Sequence, residues 1–172
     1  LYGKKLQVAK RYFDDLEAND ICYRGLSPYA SALHMAPKAG DEWRPCGDYR
    51  SLNEQTEADH YPMPNANDFV HDLRGCIVFS KLDLASAFYQ IPMAKEDQMK
   101  TAITTPFGMF IFKRMPFGLR NASQTFQRLM DSIFHDMPFV KTYIDDLLIA
   151  SSSKSEHLKH IELVFEKLKQ NG

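Results

Sequence analysis

Residues 139–150 read Phe139-Val140-Lys141-Thr142-Tyr143-Ile144-Asp145-Asp146-Leu147-Leu148-Ile149-Ala150: two short apolar runs, Phe139 to Tyr143 and Leu147 to Ala150, broken by Ile144-Asp145-Asp146. Runs of this length are strand-sized, so the stretch predicts a tight hairpin with acidic residues at its bend. Neighbouring residues on a flat strand point to opposite faces, but at a hairpin turn both side chains can lean to one side. Asp is also favoured in turns for its own hydrogen bonding, and that chemistry alone would account for the pair. A second compact apolar run, Cys76 to Leu82, ends in Asp83 and reads as a buried strand with a carboxylate at its C-terminal edge. If the two strands are neighbours, three carboxylates converge and need a counter-ion. Hard oxygen ligands of this kind select Mg²⁺ or Mn²⁺. Two such ions about 3.5–4 Å apart are the usual apparatus of phosphoryl transfer, and no side-chain nucleophile is then required.

Outward from this centre, residues 121–136 form the clearest predicted helix. Ala122, Phe126, Leu129, Met130, Ile133, Phe134 and Met137 step by three and four around one face, and Asn121 with Gln124 suits a capping box. Ser153 with Glu156 caps a last helix whose inner face is expected to be Leu158, Ile161, Phe165 and Leu168. Thr101–Thr105 and Met109–Met115 flank Pro106-Phe107-Gly108 and predict another hairpin. Residues about 4–20 carry Leu6, Ala9, Phe13 and Leu16 at helical spacing. Residues 33–36 and 43–49 suggest a hairpin turning at Gly40-Asp41, with Pro45 and Gly47 placing the second strand at an edge and Trp43 in its packing. Asn65 or Asn67 is expected to cap a short helix carrying Phe69 and Leu73. Helices and hairpins interleave without a regular strand–helix repeat, which argues an α+β domain with a largely antiparallel sheet.

The chain has 172 residues, 44% of them apolar and 25% charged, a globular composition allowing one domain or one and a fraction. No apolar run nears the roughly 20 residues of a membrane span. Three cysteines, Cys22, Cys46 and Cys76, show no Cys-x-x-Cys spacing and suggest neither a disulfide framework nor a zinc knuckle. The first residue is Leu and no signal-peptide layout follows, so the chain reads as an internal piece of something longer. Net charge is −1, yet no acidic residue lies between Asp97 and Asp131, where Lys100, Lys113, Arg114, Arg120 and Arg128 fall. That +5 stretch is expected to give a basic face for phosphates. Glu156, His157 and His160 have spacings that could ligate zinc, but they lack a further ligand and read as a solvated face.

Tyr143-Ile144-Asp145-Asp146 resembles the Tyr-x-Asp-Asp box of reverse transcriptases, and residues 79–91, Phe-Ser-Lys-Leu-Asp-Leu-Ala-Ser-Ala-Phe-Tyr-Gln-Ile, resemble their first catalytic strand and following turn. In order along the chain stand Ser27-Pro28-Tyr29-Ala30-Ser31, Trp43-Arg44-Pro45 through Leu52-Asn53, Tyr61-Pro62-Met63-Pro64, Lys100-Thr101-Ala102, Met115-Pro116-Phe117-Gly118-Leu119-Arg120-Asn121-Ala122 and Thr125-Phe126-Gln127. The set resembles the gypsy-like class of long-terminal-repeat retrotransposon Pol polyproteins over nearly the whole chain.

The resemblance implies a right-hand polymerase: fingers about 1–75 and 95–118, interleaved with palm about 76–94 and 119–172, without thumb, connection or RNase H. It implies RNA- and DNA-directed DNA synthesis on a primer 3′-hydroxyl with deoxynucleoside triphosphates. Asp83 and Asp145 would ligate two Mg²⁺ or Mn²⁺ ions, the Leu84 carbonyl would add an oxygen, and Asp146 would complete the cluster. Lys38 and Arg44 would hold the triphosphate, a task suited to a point charge and a planar fork of donors. Ser86 and Ala87 would offer backbone contacts to it. Phe88 would lie beneath the sugar and exclude a 2′-hydroxyl, and Phe117 would border the nucleotide where some reverse transcriptases carry Gln. Lys113, Arg114, Arg120, Arg128 and Tyr143 would meet template or primer. Implied partners are an RNA or DNA template with primer and the protease, RNase H and integrase segments of a Pol polyprotein, with no membrane. The implied setting is intracellular, a cytoplasmic particle with access to the nucleus. Two rivals remain: a catalytically silent, domesticated fragment that binds nucleic acid, and a metal-dependent nuclease or phosphatase using the same carboxylates.

Overall fold

The computed structural model describes every residue except 41, 66–68 and 70, so the Gly40-Asp41 turn and the Asn67 cap fall partly outside the described residues. The elements in chain order are α1 (Gly3–Ala18), β1 (Cys22–Arg24), β2 (Ser31–Lys38), β3 (Glu42–Asp48), α2 (Arg50–Gln55), β4 (Val78–Asp83), α3 (Lys95–Gln98), β5 (Ile103–Thr105), β6 (Gly108–Phe112), α4 (Ala122–Phe134), β7 (Val140–Tyr143), β8 (Asp146–Ser151) and α5 (Lys154–Asn171). They divide into two units, each built from two separate stretches: Leu1–Ala58 with Phe88–Ala122, and Asp59–Ala87 with Ser123–Gly172. The junctions fall at 58/59, 87/88 and 122/123. None of the described helices is long and apolar enough to cross a membrane.

The first unit carries a five-stranded sheet in the order β1-β6-β5-β2-β3, antiparallel except where β2 runs beside β5. β3 lies at the edge, where the missing N–H of Pro45 removes no central ladder bond. Helix α1 buries Ala9, Phe13 and Leu16, one stripe at helical spacing. Phe13 meets Phe110 with ring centroids 4.5 Å apart and Phe107 edge-on at 6.0 Å. Tyr49 is buried beside them and donates its hydroxyl to Thr101 O at 2.8 Å. Gly47 is what lets that ring in, since a Cβ there would sit 2.7 Å from Tyr49 and 2.8 Å from Ile103.

In the second unit β4, β8 and β7 form an antiparallel sheet in that order. Its inner face, with Ser80, Leu147, Ile149, Ser151, Val140 and Thr142, is covered by α4 and α5. β4 is therefore not buried on both sides as its apolar run suggests. It is an edge strand alternating inner Val78, Ser80 and Leu82 with outer Phe79, Lys81 and Asp83. The expected inner face of α5 is corrected too: Leu158 and Phe165 are exposed, and His157 and Val164 are buried. His157 holds that phase because its ring nitrogens share 2.8 Å hydrogen bonds with Ser80 and Ser151. Ser153 caps α5 as expected, accepting from Glu156 N, while the Glu156 carboxylate accepts from Ser152 N at 2.8 Å. No capping box forms on α4: Asn121 Nδ2 donates to Glu57 O and Gln124 Oε1 is buried without a partner.

Candidate active site

Asp83 stands directly opposite Asp146 in the β4–β8 ladder, and Leu84 N donates to Asp145 O at 2.9 Å, extending the pairing beyond the strand end. Alternation puts Asp83, Lys81 and Phe79 on the outer face with Asp146, Leu148, Lys141 and Tyr143, opposite the helices. Like charges directly across a ladder repel. The neutralising charge in this structure is Lys81, whose Nζ lies 3.0 Å from Asp146 Oδ1. The Asp146 carboxylate, and behind it the charges of Asp83 and Asp145, hold that ammonium above the usual lysine range. The three acidic residues thus act on one neighbourhood. The donor set suits a hard divalent cation. Among the described residues no three His, Cys, Asp or Glu side chains are drawn together into a ligand cluster.

The turn that presents Asp145 is strained. Ile144 and Asp145 are the two central residues between the paired Tyr143 and Asp146, and Ile144 has φ +54°, a region β-branched residues rarely enter. Such a residue costs on the order of 1–3 kcal/mol and needs its surroundings to hold it. Gln127 of α4, fully buried, supplies the hold. Its Oε1 accepts from Ile144 N at 2.7 Å, and its Nε2 donates to Asp131 Oδ1, Thr142 Oγ1 and Thr142 O at 2.8, 2.9 and 3.2 Å. Tyr61 closes the far side by donating to Asp131 Oδ2 at 2.7 Å. The sequence motifs contain Gln127 and Lys81 but give neither a part. For Gln127 the available signal was an amide beside Phe126 and Met130 on an otherwise apolar helix face.

Other expected site residues are distributed between the units. Lys38 and Arg44 project from the same face of the β2–β3 hairpin, Lys38 opposite Glu42 and Arg44 opposite Ala36, and Lys38 pairs with Glu42 at 3.3 Å. Phe88 and Phe117, also in the first unit, meet at a tilt of 47° with ring centroids 5.0 Å apart. In the second unit Ser86 has φ +55°, Ala87 is buried, and Tyr143 is half exposed. The cations of the basic stretch all hold acceptors within the chain. Lys100 pairs with Asp97, Lys113 with Asp20 and Arg128 with Asp59; Arg114 donates to Gln90 O, and Arg120 to Asn53 O and Thr56 O. The expected solvated face of Glu156, His157 and His160 is instead structural, with His160 bonded to Ser151 and stacked 3.7 Å over Phe139.

A family model described as reverse transcriptase (RNA-dependent DNA polymerase) matches residues 36–172. The chain is 40% identical to the Retrovirus-related Pol polyprotein from transposon 297 of Drosophila melanogaster over 98% of its own length, spanning 17% of that polyprotein. It is 42% identical to an RNA-directed DNA polymerase homolog of Oenothera berteroana, over 72% of this chain and 90% of the relative. Among solved structures, the foamy viral protease-reverse transcriptase in complex with double-stranded DNA superposes with a TM-score of 0.90 at 25% identity, covering 99% of this chain and 30% of that one. The same viral enzyme in complex with an RNA/DNA hybrid gives 0.89 at 24%, covering 100% and 23%. With its paired-aspartate hairpin, its α+β architecture and these likenesses, the chain belongs to the reverse transcriptase family of RNA-dependent DNA polymerases.

Proposed function

We propose that this chain is the polymerase core of a retrotransposon Pol polyprotein, adding deoxynucleotides to a primer 3′-hydroxyl on an RNA or DNA template. The observation that carries the reading is the register of Asp83 against Asp146, with Asp145 bonded at the strand end, on the uncovered face of the second unit. In this reading the second unit is palm and the first is fingers. Asp83, Asp145 and Asp146, with the Leu84 carbonyl, would hold two Mg²⁺ or Mn²⁺ ions. Bound there, such ions lower the pKa of an attacking hydroxyl and neutralise charge on the leaving oxygen. Lys81 balances the carboxylate face through its pair with Asp146 and would have to release that carboxylate for a cation to be held there.

Lys38 and Arg44, on one face of their hairpin, donate to triphosphate oxygens. Ser86 and Ala87, in the second unit, offer backbone N–H groups to a triphosphate. The Phe88 ring, backed by Phe117, lies under the sugar and leaves no room for a 2′-hydroxyl. Tyr143 presents its ring to the primer end. Lys113, Arg114, Arg120 and Arg128 reach template or primer phosphates by exchanging their present acceptors. Template and primer are suggested by the duplexes held by the foamy viral relatives, and a longer polyprotein by the Pol polyprotein relatives; its further segments would be protease, RNase H and integrase. Synthesis would take place in a cytoplasmic particle with access to the nucleus.

The test is single-nucleotide primer extension with Mg²⁺ on RNA and DNA templates. Incorporation by the native chain that falls by about 10³-fold or more in Asp145→Asn is expected, the scale of losing a charge-stabilising group at a reacting centre. Full activity of Asp145→Asn, or degradation of the labelled strand in place of extension, would overturn the assignment.

A further inference from the structure

We propose that Gln127 is a positioning residue for the Ile144-Asp145 turn, and that Asp131 dictates which way its amide points. The inference rests on the polymerase reading for its consequence and on the hydrogen-bond network for its mechanism. A two-residue turn leaves the N–H of its first central residue outside the ladder, and such a group needs a partner when half-buried. Gln127 Oε1 is that partner for Ile144, one residue before Asp145. An amide has one accepting and one donating end. The Thr142 carbonyl can only accept, and Asp131 Oδ1 already accepts from Thr142 Oγ1 at 3.0 Å while Oδ2 accepts from Tyr61. Nε2 must therefore face Thr142 and Asp131, which leaves Oε1 toward Ile144. The network runs Tyr61, Asp131, Gln127, Ile144 within the second unit, and its last bond holds a residue in a backbone region it would otherwise leave. Without that bond the turn relaxes and the Asp145 carboxylate loses its fixed place.

Three variants of the full chain test this: Gln127→Leu, Asp131→Asn, and Gln124→Leu as a control one turn away whose amide oxygen bonds to nothing. The first readout is the exchange rate of the Ile144 amide by NMR, which requires no activity. Faster exchange in Gln127→Leu than in Gln124→Leu is expected; equal exchange ends the proposal. The second is single-nucleotide addition. In Gln127→Leu kcat is expected to fall on the order of 10²-fold, as for a misplaced reacting group. Asp131→Asn, which keeps the shape but frees the amide to turn over, should lose about tenfold, the rate equivalent of one hydrogen bond. KM for the nucleotide should stay within about twofold in both, since binding contacts are untouched. A matched rise in KM, or a loss no greater than that of Gln124→Leu, would show a merely structural amide. Should Gln127→Leu fail to fold, Asp131→Asn decides by the same two readouts. If the native chain adds no nucleotide, the polymerase reading fails while Ile144 exchange still decides the positioning.

Discussion

Rings close the interior of the first unit, where Phe13, Phe110, Phe112 and Tyr49 pack against one another, whereas the second unit buries Gln127, Thr142, Ser151 and His157 behind its sheet. Both interiors are close-packed, but they solve different problems. Apolar contact is non-directional and tolerates small shifts, so it suits a platform. Buried hydrogen bonds fail unless every partner is in place, so they fix a few atoms tightly at the risk of a large penalty. Two of these polar residues, Gln127 and Thr142, lie beneath the aspartate hairpin, the part of the molecule whose geometry chemistry would need most.

Four measurements break or sharpen this contrast, beginning with the largest. Burial pushes the Cys22 thiol from 9.0 up to about 12 and raises Tyr12, Tyr49 and Tyr89 above the usual phenol range. All four belong to the first unit, and each keeps its proton folded at pH values where the unfolded chain has lost it. Their stabilisation is complete below about pH 9 and lost as pH climbs toward 12 and beyond, so the aromatic unit should unfold first in alkali. Trp43, the sole tryptophan, sits on β3 with Lys5 Nζ 3.6 Å from its ring centre, and its fluorescence reports on that unit. A second unit that lost structure at lower alkaline pH would reverse the expectation.

Next, Phe110→Ala should lower stability by about 3–5 kcal/mol in a denaturant titration followed at Trp43, the range for emptying a buried ring site. His157→Phe should lose about 1–3 kcal/mol by leaving the Ser80 hydroxyl and part of the Ser151 bonding unsatisfied. Amide exchange along β4 and β8 reads that loss, and unchanged protection there would mean that packing alone holds the helix. Smallest is Lys113→Ala, an exposed pair with Asp20, expected to change stability by less than about 1 kcal/mol. A larger loss would show that the basic stretch is part of the scaffold.

Much of this was legible in the residues, for physical reasons. Helix α1 and helix α4 each bury a single stripe, Ala9-Phe13-Leu16 and Ala122-Phe126-Met130-Phe134, so spacing alone located them. The aspartate hairpin was legible because charge at the break between two apolar runs is costly unless the break meets water or a cation. The α+β class followed from the mixture. α5 misled because its more apolar stripe, Leu158 and Phe165, is not the one the sheet selects: two serines on β4 and β8 choose His157, and a hydroxyl partner as far along the chain as Ser80 leaves no periodicity. The basic stretch was legible only as charge, because net charge within a window ignores acceptors elsewhere, such as Asp20 for Lys113 and Asp59 for Arg128. Gln127 carried a visible warning, an amide on an apolar face, but its partner Ile144 is found only once the hairpin is built.

The chain crosses between its two units three times, at 58/59, 87/88 and 122/123. β1 must therefore wait for β6, with Cys22 pairing to Phe112, before its sheet is whole. During synthesis the N-terminal stretch emerges with its apolar stripe uncovered and stays so until residues beyond 110 leave the ribosome. Ring closure over so long a segment is slow and opens a window for aggregation. Messenger truncations ending before β6 should accordingly yield insoluble product, whereas breaks after α4 would leave the first unit able to form.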